Sequence, residues 1–216
     1  MMKRQNRPRS ATSLGILSFL MVATLHGCGV AAEQWSYRDF FDQIEKTAGL
    51  SRFGSEVLPP TLSEIRILNW TPTAMIPMSG LRLVQTGSET RAQLILAWHA
   101  DVSPNVRRPA PTAQCDRDGP HSACVEVLDL SDSRPPFGSD WTALFGELLA
   151  MPSCEDPAGP VTVTTDSGDL AMRIIEGRRS REYYCNAPRG RHTPAGRQAA
   201  ALLDYLDANL RRALGG

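Results

Sequence analysis

The strongest combination of nucleophile and base in this sequence is Ser167 together with His99. Ser167 lies in the tripeptide DSG at 166–168, and two acidic residues, Asp101 and Asp129, follow His99 along the chain. A serine nucleophile needs a histidine to accept its proton, and the histidine needs a carboxylate to orient it. These residue types in this order predict, as one hypothesis, a hydrolase that uses Ser167 and His99.

The DSG tripeptide is similar to the one around the nucleophile of trypsin-like serine proteases, and this resemblance implies a proteolytic triad. The chain departs from that family because His99 and Ser167 are only 68 residues apart and Asp169 replaces the second glycine of the motif. Helix signals also occupy the place of a second barrel. A hairpin turn with local hydrogen bonds accounts for the same residues. We therefore expect a protein that is not an enzyme.

Cys115, His121 and Cys124 combine thiol and imidazole groups, which are good ligands for zinc. Asp116 or Asp118 could add a carboxylate, but the spacing does not supply a regular set of four ligands. Export would oxidise both thiols. We therefore expect a disulfide loop at this position and no bound metal or other cofactor.

The cysteine count favours export and two disulfides. When Cys28 is set aside, four cysteines remain, and an even number in an exported chain allows three connectivities. Cys115 and Cys124 enclose only the eight residues DRDGPHSA, so we expect these two to pair. Cys154 is then left to pair with Cys185.

The N-terminus has the pattern of a secretory signal peptide over residues 1–27. Four unopposed basic residues precede an apolar run centred on residues 14–22, and small residues follow. The apolar run is too short for an ordinary transmembrane helix. The small residues Val30-Ala31-Ala32 form one possible cleavage site, which would release a soluble periplasmic or secreted chain that begins at Glu33.

The segment Leu25-His26-Gly27-Cys28 resembles the lipobox of bacterial lipoproteins, although His26 departs from the usual small or aliphatic residue. The resemblance implies lipidation of Cys28, with palmitate or a similar acyl chain, and a membrane partner held through this anchor. Gly29 stands where an aspartate would favour the inner membrane of Gram-negative bacteria, which implies an outer-membrane lipoprotein that faces the periplasm. An unmodified thiol at Cys28 would endanger disulfide formation in an exported chain, so we expect Cys28 to be lipidated. The alternative is cleavage after Ala32, which discards Cys28 with the signal peptide.

The charge balance argues against nucleic acid as a partner. The chain has 23 basic and 23 acidic side chains, and four of the basic ones precede Cys28. The remainder has 19 basic and 23 acidic residues, a net charge of −4, whereas nucleic-acid-binding domains are basic. Arginines are in local excess over residues 173–197, which is typical of a solvated hairpin face that could also contact acidic lipid head groups.

Periodic patterns predict an α+β fold, with an antiparallel sheet of hairpins and a meander packed with about three amphipathic helices. Helical spacing predicts helices over 36–48, from a cap at Ser139 to Pro152, and from Thr193 to about residue 214. Alternating apolar residues predict strands over 64–70, 81–86, 92–99, 124–130, 161–165, 170–176 and 181–186. The strand over 92–99 is apolar on both faces, so we expect it to be central.

The domain organisation has three parts: a signal peptide at 1–27, a tether and helix at 28–60, and an α+β domain at 61–216. Within the domain, residues 102–123 form a Pro-rich stretch without hydrophobic periodicity. Loops of this length are usually functional or disordered. If the protein has a binding surface, we expect it on this loop, where it would contact an envelope protein partner.

The order of the motifs carries one further resemblance. An EIR strand, a hairpin, a Trp-bearing helix, a hairpin that ends in REYYCNAP and a terminal Ala/Leu helix resemble a set of uncharacterised bacterial exported proteins, and this resemblance implies no activity. The sequence as a whole predicts an exported, membrane-tethered lipoprotein that acts as a non-enzymatic envelope accessory or binding module. The alternative is a periplasmic hydrolase that uses Ser167 and His99.

Overall fold

One antiparallel sheet packs with three helices in the part of the chain that the structure, a computed structural model, describes. That part comprises residues 37–51, 53, 57–70, 77–99, 112–116, 123–152, 154 and 168–215. The predicted α+β class and its antiparallel sheet are confirmed. The elements are α1 (Tyr37–Thr47), β1 (Leu62–Trp70), β2 (Met78–Thr86), β3 (Glu89–His99), β4 (Gln114–Asp116), β5 (Ala123–Asp129), α2 (Trp141–Ala150), β6 (Asp169–Glu176), β7 (Arg179–Cys185) and α3 (Pro194–Ala213).

The seven strands lie in the order β4-β5-β3-β2-β1-β6-β7, and all neighbours are antiparallel. Gly87 and Gly177 begin the tight turns of the β2–β3 and β6–β7 hairpins, and both have the positive φ that such turns need. β3 has a strand on each side, as its two apolar faces predict. The β2–β3 and β6–β7 turns lie at one end of the sheet. At the other end, β1 and β3 end and β2, β5 and β6 begin.

The two faces of the sheet carry different helices, since successive side chains of a strand point to opposite faces. On β1, Ile65 and Ile67 belong to the core that α2 and α3 cover, whereas Leu68 and Trp70 belong to a second core with α1. Phe40 of α1 packs on Trp70 with ring centroids 5.7 Å apart. The helix α1 therefore belongs to the same compact unit as the sheet, which spans Trp35–Gly216.

The structure differs from the sequence prediction in two places, and a third prediction falls on residues that are not described. The N-cap of α2 is Asp140, whose carboxylate accepts a hydrogen bond from the N–H of Ala143, so the predicted cap at Ser139 is wrong by one residue. The short strand β4 lies inside the stretch at 102–123, where the absence of hydrophobic periodicity predicts no strand, because Cys115 pairs there with Cys124. The predicted strand at 161–165 lies outside the described residues.

Two disulfides join the described cysteines in the pairing that the sequence predicts. Cys115 and Cys124 are direct partners on β4 and β5, with Cα atoms 4.0 Å apart. Cys154 and Cys185 have Cα atoms 5.7 Å apart and join the segment after α2 to the end of β7. Disulfides indicate an oxidising, exported environment. Among the described helices, none is long and apolar enough to cross a membrane.

Candidate functional site

A row of polar side chains crosses the face of the sheet that α1 covers. Arg82, Arg66 and Arg173 are direct partners on the neighbouring strands β2, β1 and β6. Gln93 on β3 extends the row beyond Arg82, and Glu182 on β7 extends it beyond Arg173. Like charges that lie directly opposite each other destabilise a sheet. The row therefore requires acidic side chains between the arginines.

Two buried glutamates supply those acidic groups. Glu64 on β1 accepts hydrogen bonds from the Nε atoms of both Arg66, at 2.7 Å, and Arg82, at 2.6 Å. Glu45 on α1 places one carboxylate oxygen 3.1 Å from Arg66 Nη1 and the other 2.9 Å from Arg173 Nη1. The chain of charges Arg82, Glu64, Arg66, Glu45 and Arg173 thus alternates in sign along the row.

Arg173 is enclosed by partners from α1, from β7 and from the segment that follows α1. Its Nε donates to Glu182 at 2.9 Å, and its Nη1 lies 2.6 Å from Asp42 of α1. Its guanidinium carbon stands 4.3 Å from the ring centroid of Phe41 and 4.8 Å from that of Phe53. The residue is only 2% exposed. The interpretation of the arginines at 173–197 as a solvated face is therefore wrong for Arg173, because α1 covers it.

The pKa values of the two glutamates shift in opposite directions. Burial alone would raise the pKa of Glu64, but hydrogen bonds from Arg66 and Arg82 outweigh it and hold that pKa below the ordinary 4.5. Burial is also the largest influence on Glu45, and it raises the pKa of that carboxyl although Arg173 and Arg66 oppose the change. Glu45 is therefore the member of the pair that takes up a proton first when the pH falls.

A cleft opens beside α1 at the Arg82 end of the row. Its volume is about 270 Å³, close to the lower limit for small-molecule sites. The floor is made by side chains of β2, β3 and β5, and the walls by residues just after α1 and at the start of β4. The lining residues are Ala48, Leu50, Arg82, Gln93, Ile95, Thr112, Gln114, Val125 and Val127.

Arg82 and Gln93 are the two polar side chains of the floor. Arg82 Nη1 donates to Gln93 Oε1 at 2.9 Å, and Arg82 Nε donates to Glu64. The Arg82 side chain is 24% exposed. Because two of its five N–H groups are held by these bonds, the guanidinium has a fixed orientation while donors remain available. The cleft can therefore receive a hydrogen-bond acceptor.

The predicted hydrolase residues are only partly within the described structure. Ser167 and Asp101 lie outside the described residues, and His99 is described only through its backbone, at the end of β3 opposite Ala123. Asp169 begins β6, and the strands β2 and β1 separate β6 from β3. At about 4.8 Å for each strand spacing, β3 and β6 are roughly 14 Å apart.

Asp129 is not placed to orient His99, so that part of the proposed triad is wrong. Asp129 lies opposite Gln93 on β3, six residues from His99 along the same strand, which corresponds to roughly 20 Å. Its carboxylate instead accepts a hydrogen bond from the N–H of Ser131 at 2.8 Å, as a turn residue does.

The other predicted site residues have three outcomes. Cys115 and Cys124 form a disulfide, so their sulfur atoms are not free as zinc ligands, and within the described residues no group of three or more His, Cys, Asp or Glu side chains could hold a metal. Cys28 lies outside the described residues. Of the Pro-rich stretch at 102–123, only residues 112–116 and 123 are described, and Thr112 and Gln114 among them line the cleft.

No protein-family model, no curated protein and no solved structure matches this chain. What the described residues define is an α+β domain with two disulfides, whose first helix is joined to its sheet by a buried row of charges. The cleft at the end of that row is its candidate functional site.

Proposed function

We propose that the protein is an exported lipoprotein, tethered to the cell envelope through Cys28, that acts as a non-enzymatic binding module. The binding surface in this proposal is the cleft beside α1, together with the adjoining loop at 102–123. The lipobox-like sequence that ends at Cys28 supports the tether, and the two disulfides support export. An outer-membrane position facing the periplasm is part of the same proposal.

One observation carries the binding role. The cleft combines an apolar floor at Ile95 and Val125 with polar groups at Arg82 and Gln93, and ligand sites are typically apolar with a few converging polar groups. The ion pair with the buried Glu64 and the hydrogen bond to Gln93 fix the orientation of Arg82, so the site is formed before any ligand arrives. Thr112 lines the cleft and is also part of the loop at 102–123, which the sequence suggests as a partner site.

The tether is tested by the intact mass of the protein recovered from membrane and soluble fractions. We expect the main species to begin at Cys28, to carry a diacylglyceryl group and an amide-linked chain, and to sediment with the outer membrane. The variant Cys28→Ala should lose this lipid mass and leave the membrane fraction. A soluble, unmodified chain that begins at Glu33 as the main species would refute the tether.

The binding role is tested by photo-crosslinking in intact cells. A photo-reactive residue at Val127, which lines the cleft and is 42% exposed, should form discrete adducts. The matched control is Val57, which is 65% exposed and lies beside Leu58, whose N–H donates to Gly177 O at the β6–β7 turn. Adducts should be absent at Val57. The same adducts from both positions would show that the cleft is not a binding surface.

The hydrolase alternative has its own experiment. A fluorophosphonate probe labels an activated serine, so an enzyme that uses Ser167 and His99 should be labelled in the wild type and unlabelled as Ser167→Ala or His99→Ala. We expect no such labelling, since roughly 14 Å separates the strand of His99 from the strand that follows Ser167. Specific labelling that depends on both Ser167 and His99 would refute the proposed binding role and support the hydrolase instead.

A further inference from the structure

Arg82 ends the row of alternating charges at the cleft, and its charge is only partly offset. The carboxylate of Glu64 is shared, because the same Oε1 atom accepts from Arg66 Nε as well as from Arg82 Nε. Among the described residues, Arg82 has hydrogen bonds to Glu64 and Gln93 and to no other group. Both N–H groups of its Nη2 and one of Nη1 are therefore left to donate.

Gln93 adds donors at the same place. Its amide oxygen accepts from Arg82, and a side-chain amide carries its two N–H donors on the other atom. The orientation of the amide is thereby set by Arg82, and its NH2 group remains as a donor at the cleft floor. The polar end of the cleft thus offers N–H groups and a partial positive charge, which is the environment that stabilises an anionic oxygen.

The remainder of the floor is apolar. Ile95 and Val125 are almost fully buried beneath the cleft, and Val127 forms its exposed side. An engineered cavity of about 150 Å³ holds benzene. By that comparison, a cleft of about 270 Å³ accommodates a small body of roughly ten heavy atoms.

We propose that this cleft binds a small monocarboxylate with an apolar body, whose carboxylate contacts Arg82 and Gln93 and whose body contacts Ile95, Val125 and Val127. A monoanion fits better than a phosphate dianion, since one guanidinium faces the cleft and the Glu64 carboxylate lies directly behind it. The proposal rests on the binding role proposed above and names the ligand class for it.

Heptanoate is the test ligand, and heptan-1-ol and heptyl phosphate are the comparison ligands. Methyl-detected NMR titrations of the oxidised domain follow Ile95, Val125 and Val127 directly. We expect heptanoate to shift these methyl signals with saturation. Heptan-1-ol should bind at least about tenfold more weakly, which is the usual effect of losing one hydrogen bond between charged groups. Heptyl phosphate should also bind more weakly than heptanoate.

A pair of matched variants tests the location without removing any buried charge. Val127→Asp places a carboxylate at the cleft and should weaken heptanoate binding about tenfold, while Val57→Asp, the same change on the other exposed valine, should leave it unchanged.

A second pair of variants tests the contact between Arg82 and the carboxylate of the ligand. Arg82→Gln should abolish the preference for heptanoate over heptan-1-ol, whereas Arg91→Gln should keep it, since Arg91 does not line this cleft.

The outcomes separate this proposal from the one before it. Equal binding of heptanoate and heptan-1-ol, or tighter binding of heptyl phosphate, would overturn the assignment of a monocarboxylate. Absence of methyl shifts with all three ligands would overturn it as well. Adducts specific to Val127 in the crosslinking experiment would still support a binding role in either case, with a ligand of another class.

Discussion

Arg66 and Arg173 are direct cross-strand partners on β1 and β6, although both carry a positive charge and both are almost completely buried. The Glu45 carboxylate of α1 makes this arrangement possible, because its two oxygens each contact one of the guanidinium groups. The docking of α1 and the pairing of the two strands are therefore linked through one side chain. If α1 is displaced, Arg66 and Arg173 lose the carboxylate that lies between them. If β1 and β6 separate, the buried Glu45 carboxylate loses contact with one of its two arginines.

Removal of Arg66 should destabilise the protein strongly. Arg66→Met leaves Glu64 without one of its two arginine partners, leaves Glu45 dependent on Arg173, and deprives the Ser51 carbonyl of its donor. Breaking a buried ion pair by removing one partner typically costs about 3–5 kcal/mol. We expect a loss of that size in the free energy of unfolding, measured by urea denaturation of the oxidised protein.

Arg91→Met is the matched control for this experiment. Arg91 is 77% exposed in its side chain, and its ion pair with Glu89 has a separation of 3.6 Å. An exposed pair of this kind contributes little, so the change should stay within about 0.5 kcal/mol. If Arg66→Met cost no more than Arg91→Met, the buried row would not stabilise the fold in the way its geometry indicates.

The protonation of Glu45 should give a distinct dependence of stability on pH. Its pKa is raised in the folded state, mainly by burial, so the folded protein binds this proton more tightly than the unfolded chain. The resulting contribution is fully present below the ordinary pKa of 4.5 and is lost as the pH rises through the raised value. Glu64 has the opposite sign, because its pKa is lowered.

Comparison with Glu45→Gln isolates this contribution, since Glu64 is common to both proteins. The unfolding free energy of the wild type minus that of Glu45→Gln should increase as the pH falls toward 4.5 from the weakly acidic range above it. Urea denaturation at a series of pH values measures the difference. A difference that decreases over the same range would mean that the arginines lower the Glu45 pKa instead.

The charged row was visible in the sequence only as separate fragments. Each of the three arginines stands between apolar residues inside a strand, in IRI, LRL and MRI at 65–67, 81–83 and 172–174. Alternation predicts the strands from these fragments, and it also indicates that each arginine faces away from the apolar side. It does not predict the register that aligns the three arginines, because register depends on strand pairing across long sequence separations.

The contribution of α1 to the charged row could not be predicted from the sequence for a related reason. The stripe of Phe40, Phe41 and Ile44 identifies the apolar face of α1, and the helix was expected at nearly its observed bounds. Glu45 is adjacent to that stripe and would ordinarily be assigned to solvent, since glutamate is seldom buried without a partner. Its partners are on distant strands, so only the tertiary structure identifies it as buried.

Two glycines in different environments should respond in opposite ways to the same substitution. A Cβ atom at Gly80 on β2 would lie 2.6 Å from the carbonyl oxygen of Ile67, so Gly80→Ala should displace the backbone and cost about 1–3 kcal/mol. Gly146 on α2 has nothing within 4 Å of the added Cβ, and Gly146→Ala should stabilise by up to about 1 kcal/mol. Thermal and urea unfolding measure both. A neutral effect at Gly80 would contradict the close approach of β1 and β2.

The two disulfides should contribute unequally to stability. Cys115 and Cys124 are 9 positions apart in the sequence and Cys154 and Cys185 are 31 positions apart, so in the chain-entropy model the links are worth about 2.6 and about 3.7 kcal/mol. Cys154 and Cys185 are also both buried in the α2/α3 core, so replacing them removes packing as well. We therefore expect the double variant Cys154→Ala/Cys185→Ala to be at least about 1 kcal/mol less stable than Cys115→Ala/Cys124→Ala in urea. The reverse order would show that the short link, by tethering β4 to β5 beside the cleft, does more for the folded state than loop closure predicts.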